Sequence, residues 1–260
     1  MIVLAARIIT AVVGIPAILT LASVGGTAFF ILVLALSILG LREYHTLTKT
    51  RSELRAWSYL AGVFVLLDAH LFGGASTEIG GVVLLALLLV ILLVGFPRYS
   101  FAEAGTALLG VAYIPFLFSY LIHLRASREG ALYTALLFIL TWVSDSLAFF
   151  IGSRFGRRPL APRVSPKKTW EGAVAGVAGT VLTMFFVHKW VFLDLLPAVA
   201  LGATVGIVAE VGDLIESVLK RQAGAKDSGR ILPGHGGILD RFDALLLAAP
   251  TMYLLLRLRG

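Results

Sequence analysis

Residues 79–96 read Ile79-Gly-Gly-Val-Val-Leu-Leu-Ala-Leu-Leu-Leu-Val-Ile-Leu-Leu-Val-Gly-Phe96, with no charged or hydrogen-bonding side chain from end to end. A helix needs about 20 mostly apolar residues to cross a bilayer, with a usable range near 17–25. The run is continuous rather than alternating. It therefore suits a helix that satisfies its own backbone, not a barrel strand. The same ruler laid along the chain gives about nine spans, roughly 8–24, 27–41, 57–73, 79–96, 105–124, 131–151, 172–188, 190–213 and 237–256. The expected fold is all-α, a polytopic membrane protein of about nine transmembrane helices. The second run is short, and the eighth holds Gly206 and Gly212, where it could break.

Composition agrees. Of 260 residues, 58% are hydrophobic and 14% charged, with a mean hydropathy of +0.93. A soluble domain averages about 45–50% apolar and about 25% charged. There is no Cys, which excludes disulfides, thiolate metal sites and thiol nucleophiles. Arg7 followed by an apolar run to about Val24 superficially resembles a signal peptide, but its length favours a retained first span.

The net charge of +7 is better read by position than as a nucleic-acid footprint, and no nucleic-acid partner is expected. Three polar connections, 42–56, 152–171 and 214–236, fall on the N-terminal side of a nine-span topology. That side collects 17 of the 22 Lys and Arg; Arg125, Arg128, Lys189, Arg257 and Arg259 lie opposite. Basic excess marks the cytoplasmic face, so the N-terminus and all three connections are expected inside, in a multi-pass protein of the cell (plasma) membrane.

The chemistry is lopsided. Residues 1–140 look like transmembrane scaffold or the lining of a cavity for a hydrophobic substrate, and 141–260 carry nearly all the reactive polar groups. Ionisable residues at membrane depth are costly and default to a functional hypothesis. Glu210, Asp213 and Glu216 recur at spacing three on one helical face, with Ser217 at i+4 from Asp213. Asp240 and Asp243 repeat the pattern at the start of the last span. Carboxylates and hydroxyls suit Mg²⁺ or Mn²⁺, with Asp213 and Asp240 the better candidates and Glu216 and Asp243 beside them. Some of these acids are also expected to form structural ion pairs with Lys220, Arg221 or Arg241.

The connection 214–236 adds Lys220, Arg221, Lys226, Asp227 and Arg230, then Gly234, Gly236 and Gly237 around His235. Glycine exposes amide donors that can cradle phosphate oxygens, while Lys and Arg neutralise their charge. Acidic metal ligands beside basic phosphate ligands make a phosphoryl- or nucleotidyl-transfer constellation. By itself, His235 could equally be a hydrogen-bonded turn residue. Upstream, Asp145 lies in or at the edge of a span, and Ser165, Lys167, Lys168 and Thr169 gather just before a helix whose N-terminus favours an anion. Arg157 and Arg158 are read as partners of anionic headgroups, at about 1 kcal/mol each.

Ser217-Val-Leu-Lys220-Arg221, then Lys226-Asp227-Ser-Gly, then Leu-Pro233-Gly-His235-Gly-Gly-Ile-Leu-Asp240-Arg241-Phe-Asp243 resembles the signature of the phosphatidate cytidylyltransferase (CDP-diacylglycerol synthase) family over its whole length. The segments Trp142–Phe149 and Leu160–Gly172 are similar to bacterial members, so the resemblance covers roughly residues 142–243. It implies a Mg²⁺-dependent enzyme that converts CTP and phosphatidate to CDP-diacylglycerol and pyrophosphate in phospholipid biosynthesis. Membrane lipids are partners, and K⁺ and a homodimer are further family expectations. The resemblance gives Asp213 and Asp240 to the metal; the chemistry of the reaction then leaves Glu216, Asp227 and Asp243 as secondary ligands or orienters. Lys226, Arg230 and Arg241 would hold phosphates. The rivals are a CTP-using enzyme acting on another lipid phosphate, a CTP-dependent lipid kinase, and an ion-coupled transporter. Matched broken helices in both halves would mark the transporter, and the polar weight here is one-sided.

Overall fold

The computed structural model describes residues 2–231 and 236–258, with side chains from Val12 onward. Helices dominate: α1 (Ile2–Val24), α2 (Gly26–Leu47), α3 (Ser52–Phe72), α4 (Thr77–Val94), α5 (Phe101–Val111), α6 (Leu117–Ala126), α7 (Gly130–Phe155), α8 (Trp170–Val187), α9 (Leu195–Gln222) and α10 (Leu239–Arg257). A π turn at Ala112–Phe116 joins α5 to α6 in one rod, Phe101–Ala126. Pro115 sits in that turn, where its missing N–H leaves the ordinary helical ladder incomplete.

The all-α polytopic class is confirmed. Among the described residues, six helical rods are long and apolar enough to cross a membrane: α2, α4, the α5–α6 rod, α7, α8 and α9. Helices also cover the other three expected spans. In α1 the described side chains leave a shorter apolar helix, Val12–Val24, and α3 and α10 carry charged residues along their length. The helix at 195–222 does not break at Gly206 or Gly212. It runs unbroken for 28 residues, because both glycines lie at helix contacts: a Cβ on Gly206 would meet Val177 Cα at 3.1 Å, and one on Gly212 would meet the Asp243 carbonyl at 2.7 Å.

Small residues set the packing of the C-terminal helices. In α8, Gly172, Gly176 and Gly179 lie where a Cβ would meet α7; at Gly172 it would come 2.7 Å from the Ala148 carbonyl. Membrane helices, with no hydrophobic drive between them, gain most from such close approach. Thus α8 packs between α7 and α9, and α9 packs along α10, which also rests on α6. The apolar core runs from Phe29 and Val33 through Phe118 and Leu137 to Leu246. The helix at 77–94 stays peripheral, with Ile79, Val82, Leu93 and Val94 exposed as a lipid-facing helix requires.

A small sheet departs from the purely helical expectation. β1 (Pro159–Ala161) and β2 (Ser165–Thr169) form an antiparallel hairpin within the connection 152–171. Pro159, Pro162 and Pro166 rule out a helix there, and the Val164 N–H closes the turn on the Ala161 carbonyl at 3.0 Å.

The two ends of the bundle differ. At one end the three polar connections converge: Arg221 donates to the Val164 carbonyl at 3.0 Å, and Ser228 reaches Glu43 at 2.8 Å. At the other, Arg125 closes on the Ala22 and Ser23 carbonyls, and Asp68 accepts from the Ser76 N–H and the Thr77 hydroxyl.

Candidate active site

The convergent end encloses a cleft of about 960 Å³ between α7, the hairpin, α8, α9 and the start of α10. Asp145 and Phe149 contribute from α7, and Ser165, Lys167, Lys168 and Thr169 from the hairpin. Asp213, Ser217, Lys220 and Arg221 line it from α9, Lys226 and Asp227 from the following turn, and Asp240, Arg241 and Asp243 from α10. Residues up to 98 apart in sequence, from Asp145 to Asp243, thus face one space.

Lys168 is central to its electrostatics. Its Nζ lies 2.8 Å from Glu210 and 2.8 Å from Asp213, which joins the hairpin to α9. Burial opposes its charge, but Asp213 and then Glu210 outweigh that and hold the ammonium above its ordinary range. Lys168 therefore stays charged at neutral pH. The contribution is present below the ordinary lysine value and is lost only as pH rises through the raised one. The carboxylate face read from the spacing is real in part: the Ser217 hydroxyl lies 3.4 Å from Asp213 Oδ1.

Glu216 turns away from it. The residue is fully buried, pairs with Lys220, and is not among the cleft's lining. Lys220 also holds Asp240 Oδ1 at 2.7 Å. The other Asp240 oxygen accepts from the Ser228 N–H at 2.8 Å, the Ser228 hydroxyl at 3.0 Å and the Gly237 N–H at 2.8 Å. Asp240 thus works as the knot of its own loop, and the Gly237 amide is spent on it rather than offered to phosphate. Gly236, at φ +84°, makes the left-handed turn that permits this. Asp243 is buried beside α9, where Gly212 lets the two helices touch.

Thr169 caps α8, its hydroxyl accepting the Gly172 N–H at 3.2 Å. Glu171 accepts the Arg157 and Arg158 backbone N–H groups, latching the hairpin's entry to the same helix. Arg230 is exposed and does not line the cleft, and His235 lies outside the described residues.

Two positions take on contacts that the sequence does not mark. The sequence places Glu210 in the carboxylate run without a role of its own; in the structure it pairs with Lys168. Glu43, in α2, falls in the half that reads as scaffold. Nothing near it in sequence marks it, since its partners lie 185–196 positions away.

The donor set can be tested for a hard divalent cation. Among the described residues, no three His, Asp or Glu side chains gather closely enough to hold a metal alone. Oxygen donors on both sides of the α9–α10 contact, Asp213 and Asp243, nevertheless face one cleft. That suits Mg²⁺, which takes one or two carboxylates and leaves room for substrate phosphates.

A model of the cytidylyltransferase family matches residues 5–259 of the chain. Among curated proteins, the phosphatidate cytidylyltransferase of Brucella abortus is 38% identical, over 95% of this chain and 91% of its own. Those of Bacillus subtilis (34% identical; 97% of each chain) and Staphylococcus haemolyticus (33%; 96% of this chain and 98% of its own) are similar along their whole length.

Proposed function

The chain belongs to the cytidylyltransferase family, and from that premise we propose that it is a phosphatidate cytidylyltransferase, transferring CMP from CTP to phosphatidate to give CDP-diacylglycerol and pyrophosphate. The observation that carries this reading is the cleft itself. Carboxylates of three helices and basic residues of two loops face one space, with the exposed Phe149 of a membrane-spanning helix in its lining.

The chemistry asks little covalent work of the protein. A phosphatidate phosphate oxygen attacks the α-phosphorus of CTP. The new P–O bond forms as the bond from the α-phosphorus to the bridging oxygen breaks, and that electron pair leaves with pyrophosphate. A phosphate monoester is already a competent nucleophile near neutral pH, so no strong general base is needed. Catalysis is then positioning plus neutralisation of charge.

In this reading Lys167, Lys226 and Arg241 hold phosphates, and Lys168 keeps Asp213 and Glu210 in place from the hairpin side. Asp213 and Asp243 would hold Mg²⁺ (or Mn²⁺), which when bound neutralises phosphate charge. Asp240 and Glu216, tied to Lys220, position the loop rather than the ion. K⁺ and a homodimer stay family expectations. Seventeen of the 22 basic residues lie on the cleft's side in the nine-span topology, which supports a cytoplasmic cleft supplied with CTP. Phosphatidate would enter sideways, its acyl chains remaining in the leaflet.

Label position tests the reaction. Purified protein in mixed micelles with phosphatidate and Mg²⁺ should move label from α-labelled CTP, and none from γ-labelled CTP, into a chloroform-soluble product. γ-Label in lipid would mean a kinase and refute the proposal.

A further inference from the structure

Glu43 is a buried carboxylate near the end of α2, 3% exposed, yet among the described residues its side-chain hydrogen bonds are all with the far end of the chain. Oε1 accepts the Ile238 N–H at 2.9 Å. Oε2 accepts the Leu239 N–H at 2.9 Å and the Ser228 hydroxyl at 2.8 Å. Ile238 and Leu239 are the N-cap and first residue of α10, the helix that carries Asp240, Arg241 and Asp243. A helix's first N–H groups have no partner within the helix, and a negative charge is favoured there. Glu43 supplies both acceptors from another helix.

The surrounding glycines are shaped around it. A Cβ on Gly229 would lie 2.8 Å from Glu43 Cδ, and a Cβ on Gly237 would collide with both Glu43 oxygens and the Ser228 hydroxyl. Ser228 lies between two carboxylates, with its hydroxyl 2.8 Å from Glu43 and 3.0 Å from Asp240; its one proton serves either acceptor in turn while its backbone N–H stays on Asp240, so the residue ties the α2 anchor to the loop's own knot. The glycines at 229 and 237 therefore make room for a carboxylate from the N-terminal half.

We propose that Glu43 is a positioning residue for transfer: from α2 it fixes residues 228–229 and 237–239, and through them the placement of Asp240, Arg241 and Asp243 in the cleft. This rests on the function proposed above. It assigns catalytic weight to a helix outside the motif-bearing half.

Glu43→Gln is the informative change. It keeps shape and volume but puts an amide N–H₂ where an oxygen accepts, and both oxygens have donors facing them. Whichever way the amide turns, at least one backbone N–H loses its acceptor. Two readouts in detergent decide the matter: kcat and KM per folded protein, and hydrogen–deuterium exchange of peptides spanning 228–243. The expected result is a kcat lower by about 10–100-fold, as found for residues that orient ligands, with KM for CTP and phosphatidate within about threefold. Exchange should be faster at 236–243 and unchanged in α4. Ser228→Ala, a smaller change, should show the same local opening with a smaller loss.

Unchanged exchange at 236–243 in both variants, or activity lost only in proportion to unfolded protein, overturns the inference. Wild-type protein that transfers no cytidylyl group would refute the proposed function instead. The exchange comparison then still decides whether Glu43 holds this segment.

Discussion

Lys168 answers to two acids at once, and removing it leaves both without their ammonium. Lys168→Met should cost about 2 kcal/mol or more of stability, since truncating one partner of a part-buried pair strands the other charges. A detergent thermal-shift measurement with an unchanged midpoint would show the pair to be idle. The aspartates separate by role. Asp243→Asn should raise the Mg²⁺ needed for half-maximal turnover by about 10–100-fold. Asp240→Asn, which loosens the Lys220 and Ser228 contacts, should lower kcat with the Mg²⁺ requirement unchanged. Equal Mg²⁺ titrations for the two variants would contradict that division. The sequence showed which acids share a helical face but not which oxygens are already taken. Asp240 and Asp243 have the same spacing pattern and different neighbours, and only the fold supplies Lys220 to one of them.

At the scale of helices, close contact between glycines and backbone sets the cleft. Gly212 faces the Asp243 carbonyl, so Gly212→Leu must push α9 off α10 and separate Asp213 from Asp243. Overpacking of this kind costs about 1–3 kcal/mol. Activity should fall well beyond the loss of folded protein, measured as turnover per monodisperse protein on size exclusion. Turnover equal to wild type would mean that the α9–α10 contact does not set the site. Apolar runs made the helices legible, because most spans are bounded by charge and the first two are parted by Gly25 and Gly26. The hairpin at 159–169 was not: its run of Pro and basic residues carries no alternation, and its strands are fixed by contacts with Glu171, Arg221 and Asp213 that no local pattern announces.

For the whole molecule, convergence of the three polar connections on one end was read from charge asymmetry, and the structure brings them together. Orientation follows from the same asymmetry and is testable, because the native chain has no Cys. In right-side-out vesicles a membrane-impermeant maleimide should label Arg128→Cys directly and Arg163→Cys only after permeabilisation; the reverse would invert the topology. Glu43 marks where sequence reading stopped. A lone acid between Arg42 and Tyr44 at a helix end looks like any interfacial residue, and its meaning comes from partners nearly two hundred positions on. The central claim, that this cleft carries out cytidylyl transfer, is tested most directly by following α-label from CTP into lipid with wild type and Asp213→Asn side by side in phosphatidate micelles. We predict robust Mg²⁺-dependent labelling by wild type and a loss of about 10²–10³-fold in the folded variant, the scale of losing one transition-state charge contact. Labelling by Asp213→Asn equal to wild type, or none by wild type, would contradict it.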